Sequence, residues 1–497
     1  MDLPFILSIS PLVLFLILLL GLRKPLSEVS LWTLGLMIVL ALLYWQIAPV
    51  LFWASFAKGI FVALDIFLII FGAIFFLEVL RSLGVIGSIS YYLESFSKDY
   101  RIQTIILAWF FENFLEGAAG FGTAAVIVAP LLIGLGLTPI KAVIVSLLGN
   151  STSVAFGAAG TPIRIGFSGL EYPAIPQLAA WINCIGFLVP IFMLLTITAG
   201  KPDRKKQIKE ALPFAVWSGI AFVIPSALVV PFGQEFPSII GAVIGLVLVL
   251  LTTKLGILIP KNIRSGGSEE KPQRTLSSFR TFFPYALLIA VLILGKIFFG
   301  GINIGIPFAL DHQFNLFNPG FAFFLAGLPI AFVWRSRKKK IIRESLEKSV
   351  KGSINSFLII SCISIVVQLM VNSGMNASGI PSAVSLIAKS FETSFLPFWT
   401  PFISAFGCFL TGSATVSNIM FGKFLEISSK AIGMDSAKIL ALALVGASAG
   451  NMIALADMLA AEAVVGLKNR ERDILKGVIV PCLVYLVFVG TIGILII

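Results

Sequence analysis

Long, uninterrupted apolar runs leave few folds open to this chain. Residues 5–22, 213–231, 237–253, 282–300 and 318–334 are examples, each about as long as a helix needs to be to cross the hydrocarbon of a bilayer. With 58% of residues apolar and only 12% charged, a soluble fold could not hide that surface. A membrane β-barrel needs apolar and polar residues in alternation, whereas these runs are continuous and rich in Leu, Ile and Phe. The sequence therefore predicts an all-α polytopic membrane protein with roughly 12–14 transmembrane helices, the count depending on which segments break or re-enter.

Charge gives the orientation. The formal net charge is +12, and in a membrane protein such an excess of Lys and Arg marks cytoplasmic loops rather than a nucleic-acid partner. Positive clusters fall at Arg23-Lys24, at Lys98 with Arg101, and at Lys201–Lys209, Lys254–Arg280, Arg335–Lys351 and Lys468–Lys476. Placing all of them in the cytoplasm requires an even number of crossings between consecutive clusters. Helix pairs at 213–231 with 237–253, and at 282–300 with 318–334, meet that requirement as hairpins. Both termini of this multi-pass cell-membrane protein are then expected on the outer side. The first run, Phe5–Leu22, lacks a basic n-region and a small-residue cleavage site, so it reads as a retained helix.

Several function classes drop out. The four cysteines, Cys184, Cys362, Cys408 and Cys482, show no paired spacing and read as small packing residues. The single histidine, His312, lies in a polar connection, so no His-based metal or catalytic cluster is expected. No nucleophile–base arrangement, phosphate-binding Gly-rich loop or nucleotide-binding module appears, which argues against an enzyme and against an ATP-driven pump. No cofactor is implied, and an ion gradient becomes the expected energy source.

The most polar stretch, RSGGSEEKPQRTLSSFR (Arg264–Arg280), reads as a cytoplasmic linker over 261–281 between halves at 1–260 and 282–497. A weak internal repeat supports that division, with elements around 58–163 and 351–457. FENFLEGAA (Phe111–Ala119) matches FGCFLTGSA (Phe406–Ala414), and GLTPIK (Gly136–Lys141) matches GMDSAK (Gly433–Lys438). Gly149-Asn150-Ser151 answers Gly446-Ala447-Ser448. Lys58-Gly59 and Lys351-Gly352 each open an apolar run, ending in Ser82-Leu83-Gly84 and Asn372-Ser373-Gly374 respectively. The charge-based topology starts the first FLxG element inside and the second outside. The copies are then inverted repeats, an arrangement in which broken helices meet near the midplane of secondary transporters.

Four segments are too rich in Gly, Ser, Thr and Asn for plain lipid-facing helices: 116–123, 149–161, 411–418 and 446–451. Glycine lets the backbone unwind or lets helices approach closely, and unwound backbone at membrane depth survives only when buried or lining a cavity. The rival reading, helix–helix packing, suits one such segment better than four placed symmetrically. Candidate substrate-binding residues are Gly117, Gly120, Asn150, Ser151, Thr152, Thr411, Ser413, Thr415, Asn418 and Asn451. Free N–H groups at half-helix N-termini suit a carboxylate.

Charges inside the apolar segments are costly and point to function. Glu112 and Glu116, four residues apart, share one helix face and cannot both ionise cheaply, which makes them candidate proton carriers. Asp457 is a third candidate. Asp65, Glu78 and Glu462 are further acids, with Glu78 beside Arg81 and Glu462 beside Lys468 reading as interfacial charges. Arg164, directly after the second unusual segment, suits bidentate capture of a carboxylate, with an interfacial anchor as the rival reading. Lys141 and Lys438 open helices after short turns and read as surface residues.

FLEGAAGFG (Phe114–Gly122), LLIGLGLTP (Leu131–Pro139), VAFGAAGTPI (Val154–Ile163), FLTGS (Phe409–Ser413) and VGLKNRERDILKGVI (Val465–Ile479) together resemble the L-lactate permease family of secondary transporters. The resemblance implies proton-driven uptake of L-lactate and related small monocarboxylates such as glycolate or D-lactate. A cation/proton antiporter and a sodium-coupled carboxylate transporter are the alternatives, and Arg164 disfavours a cation site. The chain departs from the family pattern at Ala414, where an acid is expected, and at Asn451, where a lysine is expected. Glu112 and Arg164 appear where the pattern is uncharged, so the expectation is a relocated charge, with Arg164 as the substrate's cationic partner. The expected partners are a small organic anion, a coupled proton or sodium ion, and the bilayer.

Overall fold

The computed structural model describes residues 3–22, 24–85, 88, 91–92, 97–120, 122–264, 276–300, 302–310, 312–333, 338–389, 393–467 and 470–497. Residues 265–275 of the expected linker, with Arg23, Arg335, Arg337 and Lys468 of the positive clusters, lie outside the described residues.

The chain begins with α1 (Leu3–Leu16) and α2 (Leu26–Val39), each closing in a π-helical turn, and the long α3 (Pro49–Ser82). A first broken unit follows: α4 (Tyr100–Ile105), a π segment, α5 (Glu112–Ala119), α6 (Thr123–Gly134), α7 (Pro139–Gly149) and α8 (Gly157–Arg164). Next come α9 (Ile175–Ile182), α10 (Val189–Thr198), α11 (Arg204–Val229), α12 (Pro237–Lys254) and α13 (Ser278–Phe299). A two-stranded antiparallel hairpin, β1 (Asn303–Ile306) and β2 (His312–Asn315), joins α13 to α14 (Pro319–Val333). The long α15 (Lys338–Asn372) and short α16 (Ala383–Lys389) precede a second broken unit. That unit is α17 (Leu396–Thr411), α18 (Ala414–Ala431), α19 (Ser436–Gly450) and α20 (Leu455–Val464), and α21 (Glu471–Ile496) closes the chain.

Among the described residues nine helices are long and apolar enough to cross a membrane, or ten counting Pro139–Gly149 with Thr152–Arg164, bent by 41° at their break. This is lower than the 12–14 expected, because the other apolar runs fold as half-length pieces: Leu3–Leu19, Ala124–Gly134, Pro319–Ala331 and Leu396–Thr411. The hairpin is the exception to the all-α expectation.

The matched sequence segments occupy corresponding places. Each broken unit runs helix, glycine break, helix, tight turn, helix, unwound stretch, helix. The turns carry Gly136 and Gly433 at positive φ, and Pro139 or the N-cap Asp435 starts the next helix. Lys141 donates to the carbonyls of Ile197 and Ala199 at the end of α10, and its counterpart Lys438 donates to Ile496 at the end of α21. Both are helix-end caps rather than plain surface residues. The two halves also interlock, with α3 packing along α15 and against α14. A Cβ on Gly59 would stand 2.8 Å from the Ile365 backbone, and one on its counterpart Gly352 2.9 Å from Ile74.

The helix bearing Glu112 and Glu116 is anchored at its start. Arg101 is fully buried rather than exposed in a loop. It bonds Asp99 at 2.7 Å, Glu210 at 3.2 Å, and the carbonyls of Gln207 and Asn262 at 2.9 and 3.0 Å. Arg101→Gln leaves Asp99 buried without its cation, and such a broken pair costs about 3–5 kcal/mol. A clear fall in the thermal midpoint in detergent is expected, and an unchanged midpoint contradicts this account of the anchor.

Candidate functional site

The first glycine break turns the chain at full burial, at Gly120 and Gly122, and the second turns it half-buried, at Gly412. Gly120 and Gly122 hold positive φ between α5 and α6, and Gly412 does so between α17 and α18. Ser413 then caps α18, its hydroxyl accepting from Val416 N–H at 3.3 Å. After α7 the backbone unwinds from Asn150, and Ala158, Ala159 and Gly160 all take left-handed φ before α8 resumes. Left-handed alanines are costly, and a run of them persists only where the surroundings hold it.

The hydrogen bonds of that unwound stretch can be traced carbonyl by carbonyl. Asn150 O accepts from Asn451 Nδ2 (3.1 Å), Ser151 O from Ser448 Oγ (2.5 Å), Thr152 O from Asn183 Nδ2 (2.7 Å) and Ser153 O from Ser238 Oγ (2.7 Å). Tyr485 locks the Asn183 amide at 2.6 Å, and Ser448 also accepts from Ala155 N–H at 2.8 Å. Four side chains from four elements make up for the lost α-helical bonds, beside the 3-10 turn Thr152–Phe156 in which Val154 N–H donates to Ser151 O at 3.2 Å. Asn183, Ser238 and Tyr485 went unnoticed in the sequence, where each is a single polar group in an apolar run. Ser448 was visible only as the repeat partner of Ser151, the residue whose carbonyl it binds.

Around this stretch stand three buried carboxyl groups. Glu112 Oε1 accepts from Ser146 Oγ at 2.7 Å, and its Oε2 finds no partner among the described residues. Glu116, one turn on, packs against Gly157, where a Cβ would lie 2.8 Å from Oε1, and its Oε2 is also unpartnered. Asp457 near the start of α20 lies against Gly122, where any side chain would overlap its carboxyl, and 4.0 Å from a Cβ placed on Gly412. It therefore sits between the two glycine breaks, close enough to Glu116 for their charges to interact. Asn150 stands near Glu116, yet neither atom of its amide reaches hydrogen-bond geometry among the described residues.

A pocket of about 270 Å³ opens beside Glu116, lined also by Gly120, Val154, Gly157, Ala158, Pro162, Gly412, Ser413, Ala414, Thr415 and Asn451. It is small beside an apolar cavity of about 870 Å³ between α1, α2, α15 and α18, but of the two only the smaller one is lined by a carboxyl group, that of Glu116. Of the sequence candidates, Glu116, Gly120, Ser413, Thr415 and Asn451 come together here. Asn150, Ser151 and Thr152 lie in the unwound stretch behind it. Gly117 packs against Ser238 and Ile239, and the Thr411 hydroxyl bonds back to Gly407 O at 2.8 Å. Asn418 turns to Pro162 O at 3.0 Å.

Arg164 does not line the pocket. It bonds the Phe317 carbonyl at 2.5 Å, lies over the Phe317 ring, and feels Glu235 and Asp65. Those acids have partners of their own, Lys296 at 2.6 Å and the buried His312 at 3.0 Å. Glu78 pairs with Arg81 and Lys348, as an interfacial charge does, and Glu462 caps Arg470 N–H at 3.1 Å. Ala414 and Asn451, where the resemblance led to the expectation of an acid and a base, line the same pocket.

Broken helices, buried carboxyl groups and a polar pocket deep in an apolar helical bundle define a multi-pass membrane transporter. The sequence matches the L-lactate permease family over residues 4–301 and 301–497, and the chain belongs to that family. It is 29% identical to the L-lactate permease of Escherichia coli K12, covering 93% of this chain and 90% of that one. It is 25% identical to the glycolate permease GlcA of the same organism, covering 100% and 96%. Among solved structures it aligns with the Alcanivorax borkumensis YdaH transporter at 12% identity and a TM-score of 0.43, over 86% of this chain and 84% of that one. Its relatives are permeases, and the chain is a permease rather than an enzyme.

Ser448→Ala strips Ala155 N–H of its partner, at about 1–3 kcal/mol for a buried group left unpaired, and leaves Ser151 O with Val154 N–H alone at 3.2 Å. A lower thermal midpoint together with reduced transport is expected. A fully stable, fully active variant shows that the unwound stretch does not depend on this bridge.

Proposed function

We propose that the protein is a secondary active symporter that moves L-lactate or a related small monocarboxylate, glycolate or D-lactate, together with a proton across the cell membrane. Family membership supports the substrate class, because the relatives matched are named for L-lactate and glycolate. The observation that carries the coupling is the pocket itself, in which Glu116 faces the N-terminal end of α18 at Ser413, Ala414 and Thr415. Uncapped N–H groups and the positive end of the helix dipole favour a carboxylate there. No Lys or Arg is among the residues lining it. An anion in a low-dielectric pocket beside a carboxyl group is tolerated only when that group carries its proton. Anion and proton therefore favour each other's presence, which is the linkage a symporter needs.

In this reading Glu116 carries the coupled proton, with Glu112 and Asp457 as its neighbours in exchange. Asn451, Ser413 and Thr415 orient the substrate, and Asn150, Ser151 and Thr152 form the wall behind it. Glycines 117 and 120 let the elements approach. Arg164 lies beyond the pocket, so its contribution would come at the approach rather than at the bound carboxylate. The two broken units are inverted repeats, rocking together to open the pocket to one side and then the other, with both termini outside.

Proteoliposomes loaded under an imposed pH gradient test this. Labelled lactate or glycolate should accumulate, and Glu116→Gln should cut that accumulation about tenfold or more while substrate exchange at equilibrium persists. Accumulation driven by a sodium gradient alone assigns the coupling to sodium. Normal pH-driven uptake by Glu116→Gln removes Glu116 from the proton's path.

A further inference from the structure

A second cavity, of about 730 Å³, meets the Glu116 pocket across one hydrogen bond. Pro162 lines the pocket, Asn418 lines the cavity, and the Asn418 amide donates to the Pro162 carbonyl at 3.0 Å. The walls of the cavity come from two packing units. Lys58 of α3 with Ser364 and Gln368 of α15 form one side, and Ser168 with Asn418 and Lys423 of the second form the other. The Lys58 ammonium reaches across to Gly169, 4.0 Å from where a Cβ there would stand.

Its chemistry is opposite to that of the pocket. Two lysines line it and no carboxylate does. Lys423 touches Glu426 at 2.6 Å, but Glu426 is shared with Lys430 at 2.7 Å and with the Tyr172 hydroxyl at 2.9 Å. Lys423 and Lys430 together outnumber Glu426, which leaves that side of the cavity with an excess of positive charge. Two buried polar atoms in its lining, Ser364 Oγ and Asn418 Oδ1, have no hydrogen-bond partner among the described residues, although each residue is only 1% exposed. Buried polar atoms left unpaired are uncommon and point to an absent partner.

We propose that this cavity is a second anion-binding site, where the carboxylate of a small hydroxy acid sits between Lys58 and Lys423 and its hydroxyl donates to Asn418. Ammonium groups collect the anion from water and need no exact geometry. The pocket beyond the Asn418–Pro162 contact then takes it without a cation, beside a protonated Glu116. The cavity is thus an access site ahead of the transport site, and its ligand class rests on the monocarboxylate reading above.

The full-length protein in nanodiscs and in proteoliposomes tests this. The double variant K58Q/K423Q should raise the KM for lactate uptake about tenfold while the maximal rate changes by less than about twofold, and K58R/K423R should restore the KM. Titration of lactate into the wild type should show two bound anions and into K58Q/K423Q only one. Unchanged KM and unchanged stoichiometry overturn the site. If the wild type transports no monocarboxylate, the functional reading fails by itself. Formate titrated into wild type and K58Q/K423Q then decides the site, since equal binding by both overturns it.

Discussion

Backbone polar groups inside a bilayer must find partners within the protein, and the residues from Asn150 to Ser153 meet that demand where the α-helix gives way to a short 3-10 turn, Thr152–Phe156. Their four carbonyls are held by Asn451, Ser448, Asn183 and Ser238. Two of those donors come from the second broken unit, one from the α9–α10 segment and one from α12. The chain can open at this depth only because these distant elements close on it, so the pocket beside Glu116 cannot form before the halves have docked. The polar network that permits the break also fixes its position, since a shift of one residue would put Ala447, Met452, Ile182 or Ile239 where a donor stands.

Close approach serves the same end. Asp457 can lie between the two glycine breaks because Gly122 presents no side chain, and Glu116 can face the pocket because Gly157 presents none. The left-handed turn from Ala158 to Gly160 then aims α8 so that Pro162 lines the pocket. Ala414 and Asn451 share that pocket, and both are neutral. A lone charge at either position would be expensive in a desolvated site, whereas two neutral groups avoid that cost. A site without a fixed ion pair then depends on Glu116 to set its charge.

The sequence reveals the helical membrane class in its apolar runs, and it reveals the breaks because Gly, Ser and Asn are so rare elsewhere in those runs. It also singles out the motifs of Glu116, Ser413, Thr415 and Asn451, which recur at nearly constant separation and whose residues line one pocket. It does not show which way Arg164 points. Periodicity places Arg164 just past the unwound stretch, but its guanidinium goes to the Phe317 carbonyl, in a connection whose short β-hairpin no hydrophobic pattern announces. Arg101 misleads in the opposite sense, since a basic residue next to a helix reads as a loop charge until its buried partners Asp99 and Glu210 are seen. Phe317 and Glu210 lie more than a hundred residues from the arginines they bind, beyond the reach of any local rule.

The Asn418–Pro162 hydrogen bond separates two environments of opposite character, with lysines on one side and a carboxyl group on the other. A single site holding both would pair them, leaving a salt bridge that a weak organic anion must break before it can bind. Keeping them apart avoids that cost. The cationic side can attract the anion by long-range charge, and the acidic side can hold it only together with a proton. In the proposed scheme binding strength and coupling rest on different residues, so either can change without disturbing the other. The neutral residues at 414 and 451 fit this division, because a charge placed at one of them would merge the two functions in the same pocket.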